Sequence, residues 1–146
     1  MENQSLPLVM RVGSMMQEVF RVLKKRTLKK AEIKLTFEQF GLLHSINREE
    51  DDVIQNDMAE IMGKDKSVIM RLIDSLEEKE LIRRVAHAND RRKNYLMVTK
   101  KGEMVIKKIL QIENELMEEL QQGLTSSDMN TFNKVVNQIK SNSKKA

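Results

Sequence analysis

The chain is predicted to be mainly α-helical with a small β element: about six helices and a two- or three-stranded antiparallel sheet. Three observations predict this. Apolar residues recur at helical spacing over most of the 146 residues, and glycine (5) and proline (1) are too scarce to break the chain often. Two short β-prone runs, Leu81–His87 and Tyr95–Val98, flank a polar tip, Ala88–Asn94.

The elements follow in order. Leu8, Val12, Met15, Met16, Val19 and Leu23 mark a first helix from about Pro7 to about Leu28, with proline well placed in a first turn. Thr36 and Gln39 form a capping box opening a second helix that carries Phe37, Phe40, Leu42, Leu43 and Ile46. The polar run Asn47–Asp52 ends it, and a short third helix, about Gln55–Met62, stops at Gly63. Asp65 can cap a fourth helix whose buried stripe is Val68, Ile69, Leu72, Ile73 and Leu76. After the two β-prone runs, Thr99 caps a long fifth helix with a broad apolar face built on Val105, Ile109, Ile112, Leu116 and Leu120. Gly123 closes it. Thr125 to Asp128 start a sixth helix with Met129, Phe132, Val135, Val136 and Ile139 on one side. The tail Ser141–Ala146 is polar and expected to fray.

Length bounds the chain to one domain, residues 1–146, large enough to bury a core without staples. It divides by function into helices for assembly, about 5–30 and 100–141, and a central module of about 36–99. Cysteine is absent, which removes disulfides, thiolate metal sites and thiol redox switches. No apolar run approaches the roughly 20 residues that span a bilayer, and the N-terminus lacks a signal-peptide pattern, so a soluble cytoplasmic protein is expected. The two histidines, His44 and His87, stand apart, and no phosphate loop or catalytic spacing occurs. No enzyme activity, metal or cofactor is expected.

Charge is patterned more than it is abundant. The formal net charge is +4, yet Leu81–Gly102 holds Arg83, Arg84, Arg91, Arg92, Lys93, Lys100 and Lys101 against Asp90 alone. Arg21–Lys34 likewise holds seven cations against Glu32. The first helix's basic zone reads first as a solvated helix face, with a DNA contact as the alternative. The second lies on a hairpin beside a helix–turn–helix, an arrangement that grips duplex DNA: the helix fits the major groove while cations meet phosphates or the minor groove.

Several motifs resemble the MarR family of bacterial transcriptional regulators. Met58-Ala59-Glu60-Ile61-Met62-Gly63 resembles its L-A-x-x-L-G helix, and Ser67–Arg71 with Leu72–Glu77 resembles its recognition helix. Asp90-Arg91-Arg92, followed by Leu96, Val98, Thr99 and Gly102, resembles its D-x-R wing and the strand that ends in L-T-x-x-G. The resemblance implies a winged helix–turn–helix dimer, often responsive to small molecules. It also implies a two-fold DNA site, a pseudo-palindromic operator, and a pocket where helices one, two and five meet the winged module. With aromatics at 3%, an aliphatic cleft is expected there rather than a ring-stacking site. The effector itself is not legible.

The resemblance places Lys66, Ser67, Met70 and Arg71 on the face entering the major groove, with Lys64 nearby. Arginine can pair bidentately with guanine, methionine can meet a thymine methyl, and the lysines suit phosphates. In the wing, Arg92 takes the minor-groove role, Asp90 holds its guanidinium, and Arg91 and Lys93 contact the backbone. A surface ion pair that only stabilises the turn is the plainer reading of Asp90 and Arg92. Three positions depart from the family pattern: Glu80 where glycine is common, Ile54 where threonine often caps the third helix, and Lys64 at a usually apolar turn. Surplus apolar surface at both chain ends predicts a homodimer, against the simpler alternative of a monomer with all helices on one core. The competing function is a winged-helix protein-interaction or RNA-binding module without operator specificity.

Overall fold

A computed structural model describes residues 5–49, 52–90 and 92–146. Six helices and three strands appear along them, in the order α1 Leu8–Ala31, α2 Phe37–Arg48, β1 Val53–Ile54, α3 Met58–Met62, α4 Lys66–Glu78, β2 Ile82–Ala86, β3 Asn94–Val98, α5 Lys100–Leu120 and α6 Ser126–Ser143. The chain falls into two compact units, Met1–Glu113 and Asn114–Ala146.

Helix ends are set by local chemistry. The expected capping box opens α2: Gln39 N–H donates to Thr36 Oγ1 at 3.1 Å, and Thr36 N–H donates to Gln39 Oε1 at 2.9 Å. Thr125 and Asp128 form a second such box at the start of α6. Gly63 and Gly123 close α3 and α5 at positive φ, +61° and +85°. Helix α1 runs three residues past the expected end and is closed by Glu32, a non-glycine residue at φ +53°. Asp65 occupies the N-cap position of α4, but its side chain makes no capping bond, contrary to expectation. The helical turn beginning at Gln55 is also uncapped by a side chain, as the isoleucine at 54 implies.

The sheet is three-stranded and antiparallel in the order β1-β3-β2. Two residues of β1 pair with β3, Val53 with Leu96 and Ile54 with Tyr95, in a segment too short to give a strand signal of its own. The β2–β3 hairpin sets Ile82 opposite Val98 and Arg84 opposite Leu96. In the first unit, α2, α4 and the sheet enclose a core that includes Leu42, Leu43, Met58, Ile69, Ile73, Leu76 and Ile82, closed on the α5 side by Ile106 and Ile109. Each fully buried leucine or isoleucine contributes roughly 1.5–3 kcal/mol relative to exposure.

Gly102 joins the hairpin to α5. A Cβ there would stand 2.2 Å from the Leu81 carbonyl oxygen and 2.8 Å from Val98 Cγ1, so only glycine admits this approach. Thr99 is the neighbouring clamp. Its hydroxyl donates to the Glu80 carbonyl at 2.7 Å and accepts the Gly102 N–H at 3.0 Å. Threonine therefore caps α5 as expected and also ties the helix to the turn that ends α4.

Apolar residues elsewhere are left uncovered. On α1, Leu8, Val9, Met10, Val12, Met15 and Met16 are exposed, and burial begins only at Leu23 and Thr27. No residue of α6 is buried: Phe132, Val135 and Ile139 retain 47–49% of their surface. Among the described residues, no helix is long and apolar enough to cross a membrane.

Candidate nucleic-acid interface

Helix α4 sorts its residues by the 3.6-residue period. Ile69, Ile73 and Leu76 point into the core, with Val68 and Leu72 half-buried beside them. Lys66, Ser67, Met70 and Arg71 are exposed and share the N-terminal half of the opposite face. Lys64 lies just before the helix, half-buried, with its ammonium 3.6 Å from Glu38 of α2. Such an exposed pair is weak, so Lys64 can exchange the carboxylate for a stronger anion.

The wing tip is built by its own main chain. His87 N–H donates to the Lys93 carbonyl at 3.0 Å and Lys93 N–H to the Asp90 carbonyl at 3.0 Å. Asn89 N–H donates to His87 Nδ1 at 3.0 Å, and the His87 ring lies 4.8 Å from that of Tyr95. The Asp90 carboxylate accepts the Arg92 backbone N–H at 3.0 Å. The D-x-R pattern therefore acts here as an aspartate turn that shapes the tip and leaves the Arg92 side chain exposed. Lys93 is exposed too; Arg91 lies outside the described residues.

Arg84 corrects the charge reading. Counted among the basic residues of the wing, it points inward from β2 and is neutralised within the protein. Its Nε donates to Gln55 Oε1 at 2.6 Å, one terminal nitrogen to Glu77 Oε1 at 2.8 Å, and the other to Asp74. Its backbone N–H also donates to Glu77 Oε2 at 3.0 Å. Burial opposes the charge of this guanidinium, but hydrogen bonds and attraction from Asp74 and Glu77 outweigh it and raise the pKa above the ordinary arginine value. Lys101 is likewise engaged, donating to the Lys79 carbonyl at 3.0 Å and lying 3.6 Å from Glu80. The exposed charge of the wing comes down to Arg83, Arg92, Lys93 and Lys100 among the described residues.

Gln55 completes this arrangement and was not singled out in the sequence. Its Nε2 donates to Met70 Sδ at 3.1 Å while its Oε1 accepts from Arg84. The turn before α3, the exposed face of α4 and strand β2 are thus held in one register. Two sequence signals carry part of this. Asp74 and Glu77 are three apart on one helix face, and period-2 alternation from Ile82 puts Arg84 on the inner side of β2. Gln55 has no comparable signal, because its position depends on β1.

The pocket implied between α1, α2 and α5 is small. Phe20, Leu23, Lys24, Thr27, Leu35, Phe40 and Ile109 line it around about 10 Å³, room for roughly one water. Phe20 and Phe40 stand in its wall beside the aliphatic Leu23, Leu35 and Ile109.

A MarR family model matches residues 33–93, from the approach to α2 through the wing tip. A solved MarR structure is 28% identical, with a TM-score of 0.80 over 97% of this chain and 94% of that one. S. aureus MepR, solved as a DNA complex, is 21% identical and aligns over 94% and 99% of the two chains at a TM-score of 0.77. A cysteine-to-serine variant of E. coli MarR with operator DNA is 22% identical, with a TM-score of 0.77 over 94% and 96%. Over residues 33–93 the chain is similar to the MarR family, and its helix order and three-stranded sheet match the winged helix–turn–helix fold of these structures.

Proposed function

We propose that the chain is a homodimeric, sequence-specific regulator of transcription that binds double-stranded DNA at a pseudo-palindromic operator, and that it is a cytoplasmic repressor released by a small-molecule effector. The observation that carries this reading is the exposed, cationic half of α4, bolted to the wing through Arg84 and Gln55. A preorganised groove-reading helix loses little conformational entropy on docking, which raises affinity. MepR and E. coli MarR, whose structures include DNA, share the fold.

In this reading Arg71 pairs with a guanine edge, Met70 meets a thymine methyl, and Lys66 and Ser67 serve phosphate or base edge at the helix start. Lys64 takes a phosphate. Arg92 enters the minor groove from the tip that Asp90 shapes, while Arg91 and Lys93 meet the backbone. The assembly helices are those of about 5–30 and 100–141, and the DNA-binding module is about 36–99. The uncovered apolar residues of α1 and α6 support a second copy as the partner. Catalysis has no part in this function.

The test is a fluorescence-anisotropy titration of the chain against duplex from its own promoter and against random duplex, at several salt concentrations. Tight binding to the promoter, weaker binding to random duplex and a steep loss with salt are expected. Equal affinity for both duplexes, or preference for RNA, would overturn the operator reading.

A further inference from the structure

Beside this small pocket, and sharing Lys24 and Leu35 with it, lies an open cleft of about 250 Å³. Three lysines line it from separate places in the fold: Lys24 on α1, Lys34 in the segment between α1 and α2, and Lys79 at the C-terminal end of α4. Thr36 and Gln39 complete its polar wall, and no carboxylate lines it. Of the carboxylates near in sequence, Glu38 faces Lys64 and Glu80 faces Lys101. Like charges brought together without a counter-ion repel, so the cleft is electrostatically incomplete as it stands.

The polar groups are already oriented. Gln39 is held from both ends: its Oε1 accepts Thr36 N–H, and its Nε2 donates to Ser75 Oγ of α4 at 2.7 Å. The Thr36 hydroxyl accepts the Gln39 N–H and keeps its own proton to donate. One hydroxyl donor and three lysines lining one open cleft suit a compact acceptor carrying several negative charges. No aromatic ring lines the cleft, so recognition by stacking has no basis there.

We propose that this cleft binds a small multivalent anion, a phosphorylated or polycarboxylate metabolite, and that this anion is the effector. Lys24, Lys34 and Lys79 neutralise it and Thr36 donates a hydrogen bond. The site deepens the regulatory reading above, and its regulatory half rests on that reading. Bound there, the anion ties α1 and the α1–α2 segment to the end of the recognition helix. It shifts operator affinity to the extent that it binds the free and DNA-bound arrangements unequally.

The probes are inorganic pyrophosphate and citrate, titrated calorimetrically into the full-length protein at constant ionic strength. One or both should bind saturably, one per chain, and whichever binds tells phosphate chemistry from polycarboxylate chemistry. Lys24→Gln, Lys34→Gln and Lys79→Gln should each weaken that binding at least tenfold, while Lys107→Gln, an exposed lysine of α5 outside the cleft, leaves it unchanged. Failure of both probes to bind, or equal binding by all variants, would overturn the site. Operator titrations with and without the bound probe test the regulatory half: affinity should change in the unmodified chain and not in Lys79→Gln, and an unchanged affinity overturns it. A chain that binds pyrophosphate or citrate through these lysines but no operator would retain the site and sink the DNA-binding reading, so the two failures are distinguishable.

Discussion

Arg92 and Arg71 are both exposed cations, yet their substitutions should read differently. Arg92 sits on a tip shaped by the Asp90 turn, so Arg92→Ala should weaken operator binding by about 1–3 kcal/mol while helix content and oligomeric state stay unchanged. An unaltered anisotropy titration would contradict its minor-groove role. Arg71→Ala should narrow the gap between operator and random duplex, because a guanine contact carries sequence information and a phosphate contact does not. Equal losses on both duplexes would confine Arg71 to phosphate. Glu80 tests the fold itself. It holds φ +59°, a region where a non-glycine residue is disfavoured, so Glu80→Gly should stabilise the chain by up to about 1 kcal/mol in urea unfolding. Its ion pair with Lys101 joins two exposed side chains and offsets little of that gain.

At the scale of elements, the junctions decide the geometry. Gly102→Ala should cost about 1–3 kcal/mol, since backbone at Leu81 must move to admit a methyl group; an unchanged urea midpoint would show that the junction can relax. The Asp128 carboxylate, held below its ordinary pKa by the Thr125 backbone and side-chain bonds, is a pH test of α6. Its capping contribution is present above the unfolded value near 3.8 and is lost as pH falls through the lower folded value. The Thr125 amide resonance should therefore hold steady to acidic pH and shift only below that value, and a shift centred at or above it would contradict the cap.

These elements also show how much the sequence discloses. The capping boxes, Gly63, Gly123 and the buried stripe of α4 are legible because each depends on residues within one or two turns. The exposed face of α4 follows from the same period. Strand β1 is not legible, because two residues become a strand only when β3 supplies the ladder. Arg84 is misread for a related reason: charge counting treats every arginine as available, while Asp74, Glu77 and Gln55 reach it only after the hairpin folds against α4. The Asp90 turn shows that a motif can be present and still act through its backbone.

At the scale of the molecule, the uncovered apolar residues at both chain ends are the surfaces proposed for assembly. Removal of 126–146 takes away Phe132, Val135 and Ile139 and should leave monomers or aggregates by light scattering, with much weaker operator binding. A truncated chain that still scatters as a stable dimer would place the interface elsewhere. In a two-fold dimer, the recognition helices address half-sites about 10 bp, one helical turn, apart. The most direct measurement is therefore hydroxyl-radical footprinting of the intact chain on its own promoter. Two symmetric protected half-sites about one turn apart, lost together at high salt and weakened in Arg92→Ala, are the predicted result. A single unsymmetrical footprint, or none while the chain is folded and dimeric, would contradict operator recognition by paired winged helices.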